Sequence, residues 1–311
     1  MGQHSEENYM WNVQDVNAMS YMSVVDDALI YDNVFAGFKQ NPYYSGIVGG
    51  QSSEASAEWY GEKIKNNDSI DSKVEVFKKV DTVGGPKLHD LKEYGLISSS
   101  TLRYINSLIT IQEHLGDFNG KDVVEIGVGF GGLCYVLSSY YDLKSYRLVD
   151  LPNATLLALK CLAILDVDHL VIERSKQEIN LNYEERSKTA GNFRDTFNTE
   201  EWPVSIIENR TKNNRNFHVD FNHPKFDLLI SEYCISEMDD AGIDNFYERY
   251  IQHSENIYIF SNLWDKKRKE AFLSKLDEKF KLIVFDDPMP REIKICPEPQ
   301  KMNQIIIGKR R

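Results

Sequence analysis

Long apolar runs, paired cysteines and surplus basic residues are all missing from this 311-residue sequence. No stretch approaches the roughly 20 apolar residues that a membrane-spanning helix needs, and the polar first ten residues lack the layout of a signal peptide. The four cysteines (Cys134, Cys161, Cys234 and Cys296) lie far apart, with no Cys-x-x-Cys pair. We therefore expect reduced thiols in a cytoplasmic protein that has no membrane span.

Positive charge is also scarce, because 36 Lys and Arg face 48 Asp and Glu, a formal net charge of −12. Proteins that bind nucleic acids usually do so through a basic surface, so we expect no nucleic-acid partner. A small anionic substrate remains compatible, because a local pocket can differ in sign from the whole molecule. With 41% hydrophobic and 12% aromatic residues, the chain can bury a sizeable core.

The first 96 residues differ in character from the rest. They contain aromatic residues in short helical pieces, interrupted by turns at Asn41-Pro42, Gly49-Gly50 and Gly84-Gly85-Pro86. Such a segment cannot form a sheet core alone, so residues 1–96 are interpreted as a helical cap or lid on a domain spanning 97–311. Residues 166–203 are polar and are interpreted as an insertion near the substrate side.

Strands and helices alternate after residue 97. Ser98, Ser99 and Ser100 offer N-caps for a helix that runs to Leu115 and stops at Gly116. The predicted elements that follow are strand Asp122–Ile126, helix Gly131–Tyr141, strand Ser145–Val149, helix Asn153–Leu165, strand Phe226–Ile230, helix Ala241–His253, strand Ile257–Phe260 and helix Lys266–Phe280. This alternation predicts a doubly wound, mostly parallel α/β sheet. Its third strand is either Val204–Ile207 or Phe217–Val219.

The C-terminal end breaks the alternation. Lys281–Phe285 and Asn303–Ile307 are predicted strands with no helix between them, so they most easily pair antiparallel. A parallel sheet closed in this way is typical of class I methyltransferases rather than of dinucleotide dehydrogenases. The predicted fold is therefore a Rossmann-like, seven-stranded, mostly parallel sheet with an antiparallel last strand and an N-terminal helical cap.

A glycine-rich turn carries the clearest chemical signal. Residues 123–132 read Val-Val-Glu-Ile-Gly-Val-Gly-Phe-Gly-Gly, an apolar strand that leads through Gly127, Gly129 and Gly131 into a helix. These glycines would let the backbone approach a ligand where a Cβ atom would collide. Asp150 ends the next strand, where its carboxylate can accept both hydroxyls of a ribose. The pattern predicts a nucleoside cofactor.

Two cofactor classes share this pattern. Gly127, Gly129 and Gly132 also satisfy Gly-x-Gly-x-x-Gly, so an NAD(P)-dependent or flavin oxidoreductase is an alternative, as is a purely structural glycine turn. Glu125 favours S-adenosylmethionine, because an acid there suits the cationic amino-acid end of that cofactor and would sit badly near a pyrophosphate. The sequence therefore favours S-adenosylmethionine-dependent methyl transfer.

Four stretches resemble the bacterial sugar O-methyltransferase family. They are residues 81–86 (Asp-Thr-Val-Gly-Gly-Pro), 97–104 (ending Leu-Arg-Tyr), 125–132 with 150–152 (Asp-Leu-Pro), and 231–238 (Ser-Glu-Tyr-Cys-Ile-Ser-Glu-Met). The likeness covers roughly residues 35–165 and 226–307. The family usually has Asn at the place of Ser231 and a small polar residue at that of Glu232, while Val128 replaces a commoner glycine. The resemblance implies transfer of a methyl group to a sugar hydroxyl, in a glycan or a nucleotide-linked sugar.

A sugar hydroxyl is a poor nucleophile, so a general base should assist the in-line displacement. The base should follow strand four, because open α/β sheets bind ligands beyond the carboxyl ends of their strands. Glu237 matches the family's Glu-Met pair and is the first candidate, ahead of Glu232 and His223. A methyl acceptor other than a sugar, and an inactive binding module that keeps the fold, are the alternative functions.

Further candidates surround the cofactor. Arg103 and Tyr104 lie on the helix before the first strand of the predicted sheet, where Arg103 could pair with the cofactor's carboxylate. Asp220 could hold the adenine amino group if Phe217–Val219 is the third strand. The resemblance places Leu151 in the cofactor segment, and Ser231, in the stretch that follows strand four, is a further candidate for cofactor binding. Asp239 and Asp240 could bind a divalent metal but are more often helix caps, so no metal is expected. A homodimer through the cap is a further hypothesis.

Overall fold

The computed structural model describes residues 16–48, 54–167, 170–172, 218–219, 225–262, 265–287 and 303–311. The described part of the chain consists of several helices and a small hairpin, followed by helices alternating with the strands of one large sheet. Within the described ranges, no helix combines the length and the apolar composition needed to cross a bilayer.

The described residues of the segment predicted to be the N-terminal cap form six α-helices and, unlike the sequence-based expectation, a β-hairpin. The helices are α1 (Val16–Ile30), α2 (Asp32–Phe35), α3 (Pro42–Val48), α4 (Glu54–Lys65), α5 (Asp68–Asp71) and α6 (Val74–Phe77). The hairpin joins β1 (Leu88–Leu91) to β2 (Gly95–Ser98) in antiparallel register. Burial alternates along β1, so two side chains of this short strand reach the core, and Gly95 supplies the positive φ of +62° that ends the turn.

One eight-stranded sheet organises the rest of the described chain. Its strands are β3 (Asp122–Ile126), β4 (Ser145–Val149), β5 (Leu170–Ile172), β6 (His218–Val219), β7 (Phe226–Glu232), β8 (Ser254–Ser261), β9 (Phe280–Asp286) and β10 (Gln304–Arg310). The strand order is β6-β5-β4-β3-β7-β8-β10-β9. The fold is the expected Rossmann-like methyltransferase arrangement, with eight strands rather than seven because β6 adds an outer edge beside β5.

The third strand was wrongly predicted. β5, which pairs with β4 in parallel, comes from Leu170–Ile172 inside the segment interpreted as an insertion. His218–Val219, part of one of the two candidates, pairs outside β5 as β6. The other candidate, Val204–Ile207, lies outside the described residues. A three-residue strand is too short to show a recognisable periodicity in the sequence. The position of β5 in the sheet is set by its pairing with β4.

The antiparallel ending is confirmed. β10 lies between β8 and β9 and runs antiparallel to both, with Ile306 opposite Ile259 on one side and Val284 on the other. β3, β4, β5, β6, β7 and β8 run parallel to each other. The carboxyl ends of these six strands therefore meet at one edge of the sheet.

Helices cover both faces of the sheet. They are α7 (Ser99–Leu115), α8 (Gly132–Tyr140), α9 (Pro152–Ile164), α10 (Cys234–Glu237), α11 (Asp240–Arg249) and α12 (Lys266–Asp277). The Ser98 hydroxyl accepts the Thr101 N–H at 3.1 Å, and Gly116 at φ +97° accommodates the turn that ends α7, so both predicted boundaries are confirmed. The predicted helix Ala241–His253 is shorter, because its last turn is a separate 3₁₀ segment.

The cap and the sheet share one apolar core. Val25 and Ala28 of α1, Ile64 of α4 and Leu108 of α7 belong to the same buried cluster as Tyr146 of β4. On the other face, α11 and α12 bury a second cluster against β3, β7 and β8. The cap therefore extends the hydrophobic core of the sheet and packs against the carboxyl ends of the strands.

Candidate functional site

The candidate site lies where the strand order reverses. β3 has β4 on one side and β7 on the other, so the chain leaves β3 toward one half of the sheet and later returns to the other half. In open α/β sheets, ligands bind outside the carboxyl ends of the strands at this topological switch point. The loops after β3, β4 and β7 are therefore where a ligand is expected.

The glycine loop after β3 adopts backbone conformations that L side chains rarely occupy. Gly127, Gly129 and Gly131 have φ values of +81°, +53° and +82°. The Gly127 N–H donates to the Val149 carbonyl at 2.8 Å, which joins the loop to the end of β4. A Cβ at Gly127 would lie 2.2 Å from the Cβ of Cys234, so the loop after β7 also packs directly against this glycine.

Gly127→Ala should destabilise the fold by roughly 2–5 kcal/mol, because a left-handed L residue costs about 1–2 kcal/mol and overpacking about 1–3 kcal/mol more. Gly95→Ala is the matched control, since Gly95 has a positive φ but open space around its missing Cβ. Chemical denaturation of both variants separates the two costs. If both variants lost the same free energy of unfolding, Cys234 would have moved away from the added Cβ at no energetic cost.

Asp150 is joined directly to the glycine loop. Its Oδ2 accepts the Gly129 N–H at 3.1 Å and its Oδ1 accepts the Leu151 N–H at 2.7 Å. Burial raises the pKa of Asp150 to about 6, and the backbone donors, which include these two N–H groups, act in the opposite direction. The structure thus brings together the loop and the carboxylate that the sequence analysis paired.

Glu125 belongs to β3, just before the glycine loop, and its side chain lies between the sheet and α7. It is 3% exposed, and the Tyr146 hydroxyl donates to its Oε2 at 2.7 Å. Burial raises the pKa of Glu125 well above its ordinary value, and the nearby charges of Glu232 and Asp150 raise it further. Glu125, in β3, and Asp150, which directly follows the adjacent strand β4, lie at the same sheet edge.

Arg103 of α7 is buried against Glu232 at the end of β7. Its Nε lies 3.4 Å from Glu232 Oε2, and its guanidinium lies 5.1 and 5.4 Å from the ring centroids of Tyr104 and Tyr233. The Ser107 hydroxyl donates to the other Glu232 oxygen. Burial raises the pKa of Glu232, whereas Arg103 lowers it. Glu232, a candidate base, is therefore held in an ion pair, and Arg103 already has a carboxylate partner within the protein.

Among the described residues, the layer between α7 and the sheet contains more acidic groups than basic groups. Glu125 and Glu232 lie between α7 and the sheet with one guanidinium, that of Arg103, and Asp150 lies at the adjoining loop. Buried charges are stable only when they are compensated or neutralised. The surplus of carboxyl groups suits a cationic ligand and opposes a pyrophosphate.

The chain bends sharply after β7 and brings Glu237 to the rim of the site. Tyr233 has φ +64°, an outlier for an aromatic residue, and its N–H donates to the Phe260 carbonyl at 2.6 Å. Glu237, at the end of α10, is exposed at the surface of the rim. The protein atoms around its carboxyl raise its pKa to about 7, helped by Asp150. The carboxyl group of Glu237, the first candidate base, therefore interacts electrostatically with the Asp150 carboxylate.

The remaining sequence-predicted residues have varied positions. Ser231 is fully buried, and its hydroxyl has no hydrogen-bond partner in the described part of the chain. Asp239 caps α11 by accepting the Gly242 N–H at 2.7 Å, and Asp240 pairs with Arg268 at 2.8 Å. No group of three or more potential metal ligands occurs among the described residues. His223 and Asp220 lie outside those residues.

Three cap residues that were not among the sequence-predicted site residues border the site. Tyr21 and Tyr44 stack with ring centroids 5.4 Å apart, and burial raises the pKa of both hydroxyls, with Asp150 contributing in each case. The Lys39 ammonium lies 3.6 Å from the centroid of the Phe130 ring in the glycine loop. The aromatic enrichment of the cap was the available signal for the tyrosines, whereas Lys39 had none.

Comparisons with known proteins give only distant structural similarities. No family model and no curated protein matches the sequence. Among solved structures, the chain is similar to an rRNA methylase from Streptococcus thermophilus (10% identity, 68% of this chain and 96% of that one, TM-score 0.37). It is also similar to a precorrin-6y methyltransferase from Geobacter metallireducens (13%, 66% and 87%, 0.36). A third is a tRNA methyltransferase from Aquifex aeolicus (14%, 66% and 68%, 0.36).

Proposed function

We propose that this chain is an S-adenosylmethionine-dependent O-methyltransferase whose acceptor is a sugar hydroxyl. The observation that carries the proposal is the Asp150 carboxylate, fixed to the glycine loop by the Gly129 N–H at the switch point of the sheet. A carboxylate in this position can accept the two hydroxyls of a ribose.

The residues at the site fit this cofactor better than a dinucleotide. The backbone of Gly127 and Gly129 lies between Asp150 and the end of β7, and the layer beneath it contains more carboxyl groups than guanidinium groups. A sulfonium or an ammonium would favour the ionised form of these carboxyl groups and compensate it, whereas a pyrophosphate would add further negative charge. The cofactor supplies an activated methyl group when bound, so the protein's task is to align the acceptor and remove its proton.

Glu237 is the proposed general base. Its carboxyl lies at the rim after β7, its pKa of about 7 is suited to proton transfer near neutrality, and no ion pair of its carboxylate occurs within the described residues. Glu232 is proposed to position α7 through Arg103 instead, because its carboxylate is buried in that pair. The acceptor hydroxyl would give its proton to Glu237 as its oxygen attacks the methyl carbon in line.

The four stretches that resemble the sugar O-methyltransferase family contact one another, which supports that choice of acceptor. Asp81 accepts the Ser98 N–H at 2.8 Å, so the first stretch contacts the second. Arg103 of the second pairs with Glu232 of the fourth, and Gly127 of the third abuts Cys234 of the fourth. Stretches that are far apart in sequence thus form one continuous structure around the proposed site.

Asp150→Ala tests the proposal directly. Calorimetry should show that the wild-type protein binds S-adenosylhomocysteine and not NADH, and that Asp150→Ala binds S-adenosylhomocysteine at least about 100-fold more weakly. Two charge-assisted hydrogen bonds of about 1.5–3 kcal/mol each account for a loss of this size. Asp142→Ala, which removes an exposed carboxylate, should bind normally. If the wild-type protein bound NADH and not S-adenosylhomocysteine, the oxidoreductase alternative would be favoured. A dissociation constant for S-adenosylhomocysteine in the millimolar range would contradict the proposed function.

A further inference from the structure

One edge of the eight-stranded sheet is a long strand whose outer side has no strand beside it in the part of the chain that the structure describes. This strand is β9, and its seven residues pair with seven residues of β10 without a bulge. The strand at the opposite edge, β6, has only two residues. A short edge strand is protected by its length, whereas an edge as long as β9 presents a row of backbone groups to a further strand.

Hydrogen bonds at the two ends of the β9–β10 ladder show which backbone groups point outwards. The Arg311 N–H donates to the Lys279 carbonyl at 3.0 Å, and the Asp287 N–H donates to the Asn303 carbonyl at 2.8 Å. Residues of an antiparallel strand alternate between bonding to the neighbouring strand and pointing away from it. The odd-numbered residues from 279 to 287 therefore bond to β10. The backbone N–H and C=O groups at the outer edge belong to Phe280, Leu282, Val284 and Asp286.

The middle of this edge is apolar and incompletely covered. Ile283 is 47% exposed and Val284 is 39% exposed, and their side chains project from opposite faces of the sheet. Edge strands are usually protected from pairing by prolines, bulges or central charges, and residues 282–285 contain none of these. The Phe280 carbonyl already accepts Arg311 Nε at 3.2 Å, so the available edge begins after Phe280.

Charges at the two ends of the strand favour an antiparallel copy of itself as the partner. Lys281 lies near the beginning of β9, whereas Asp286 ends the strand and Asp287 follows it. Antiparallel pairing places the basic end of one copy beside the acidic end of the other, but parallel pairing would place like charges together. A two-fold axis at Val284 brings the outward backbone groups of Leu282, Val284 and Asp286 opposite those of the second copy.

We propose that β9 is the interface of a homodimer, in which two copies of the strand pair antiparallel about a two-fold axis at Val284. In this register Ile283 lies opposite Phe285 of the partner subunit, and Lys281 lies opposite Asp287 of the partner subunit. Val284 meets its own counterpart on the axis. The interface thus lies at the edge of the sheet rather than on the cap, and it does not depend on the proposed function.

The dimer geometry has a consequence for the two candidate sites. Residues that face each other in an antiparallel pair project from the same face, so the axis is perpendicular to the joined sheet. The carboxyl ends of the parallel strands then point in opposite directions in the two copies. Each candidate site is therefore complete within one copy, and the two sites open at opposite edges of one continuous sheet.

Sedimentation equilibrium of the full chain tests this interface. An interface made mainly of two edge strands is small, so wild type should dimerise reversibly with a Kd on the order of 10 µM. Val284→Lys and Val284→Asp should each weaken dimerisation at least about tenfold, because like charges then meet on the axis. An equimolar mixture of the two variants should dimerise to within about threefold of wild type, because a lysine then faces an aspartate.

Met19→Lys is the matched control, since Met19 is also an exposed apolar residue, at 53%, but lies on α1 of the cap. It should dimerise like wild type. Thermal melting of every variant should remain cooperative, because the substituted side chains are exposed. A monomeric wild type at about 100 µM, unchanged dimerisation of Val284→Lys, or a mixture that stays monomeric would each overturn the proposal. Loss of the dimer in Met19→Lys alone would place the interface on the cap instead.

Discussion

Replacing Arg103 with methionine lowers the free energy of unfolding by about 3–5 kcal/mol, the usual cost of removing one partner from a buried ion pair. The methionine fills much of the same volume, but Glu232 then keeps a buried carboxylate whose only remaining strong partner in the described chain is the Ser107 hydroxyl. Urea denaturation of the purified variant measures the loss.

A double-mutant cycle separates the pair from its surroundings. Glu232→Gln alone should also destabilise, because it removes a carboxylate from beside the buried guanidinium, whereas the double variant should lose less than the sum of the two single losses. Lys144→Met is the control: Lys144 and Asp122 are closer, at 2.6 Å, but the lysine is exposed, so its removal should leave the denaturation midpoint almost unchanged. Additive losses would mean that Arg103 and Glu232 are energetically independent.

The free energy of unfolding that Arg103→Met loses relative to wild type should increase with pH. Burial raises the pKa of Glu232 and Arg103 lowers it, so removing Arg103 raises that pKa further. A carboxyl group with a raised pKa in the folded state binds a proton on folding. Its contribution to stability is therefore greatest below the unfolded value of about 4.3 and falls as pH rises toward the folded value. The variant should be closest to wild type near pH 5 and furthest from it near pH 8.

Local sequence was sufficient for the glycine loop and Asp150. The three glycines predicted to permit close backbone approach all have positive φ, and the strand before them is buried on both faces, as the continuous apolar pattern indicates. Asp150 follows β4 directly, so the parallel pairing of β3 with β4 is enough to bring it to the loop. These features depend on residues close together in the chain.

Features that depend on tertiary contacts could not be predicted. β5 has three residues and becomes a strand by pairing with β4. Glu232 looks like an available acid in the sequence, and only the packing of α7 across β7 shows that Arg103 neutralises it. Lys39 is one lysine among many until the cap places its ammonium over Phe130. Periodicity describes one element at a time, whereas these features arise where elements meet.

Replacing Glu237 with glutamine should slow methyl transfer by about 10²–10⁴-fold, the range expected when a general base is lost. The amide keeps the size of the side chain but cannot accept the proton of the acceptor hydroxyl. Activity can be followed with methyl-¹³C S-adenosylmethionine and a panel of nucleotide-linked and free deoxysugars. Glu248→Gln, an equivalent change at an exposed position on α11, should keep the wild-type rate.

The pH profile distinguishes a base from a binding residue. Because the protein atoms around its carboxyl and the nearby Asp150 raise the pKa of Glu237 to about 7, kcat of the wild type should rise with pH through about 7 as the carboxyl loses its proton. Glu237→Gln should lose this limb of the profile while its affinity for S-adenosylhomocysteine stays within about twofold of wild type. If the limb persisted in the variant, or if only the KM of the acceptor changed, another group would be the base and Glu237 would serve in binding alone.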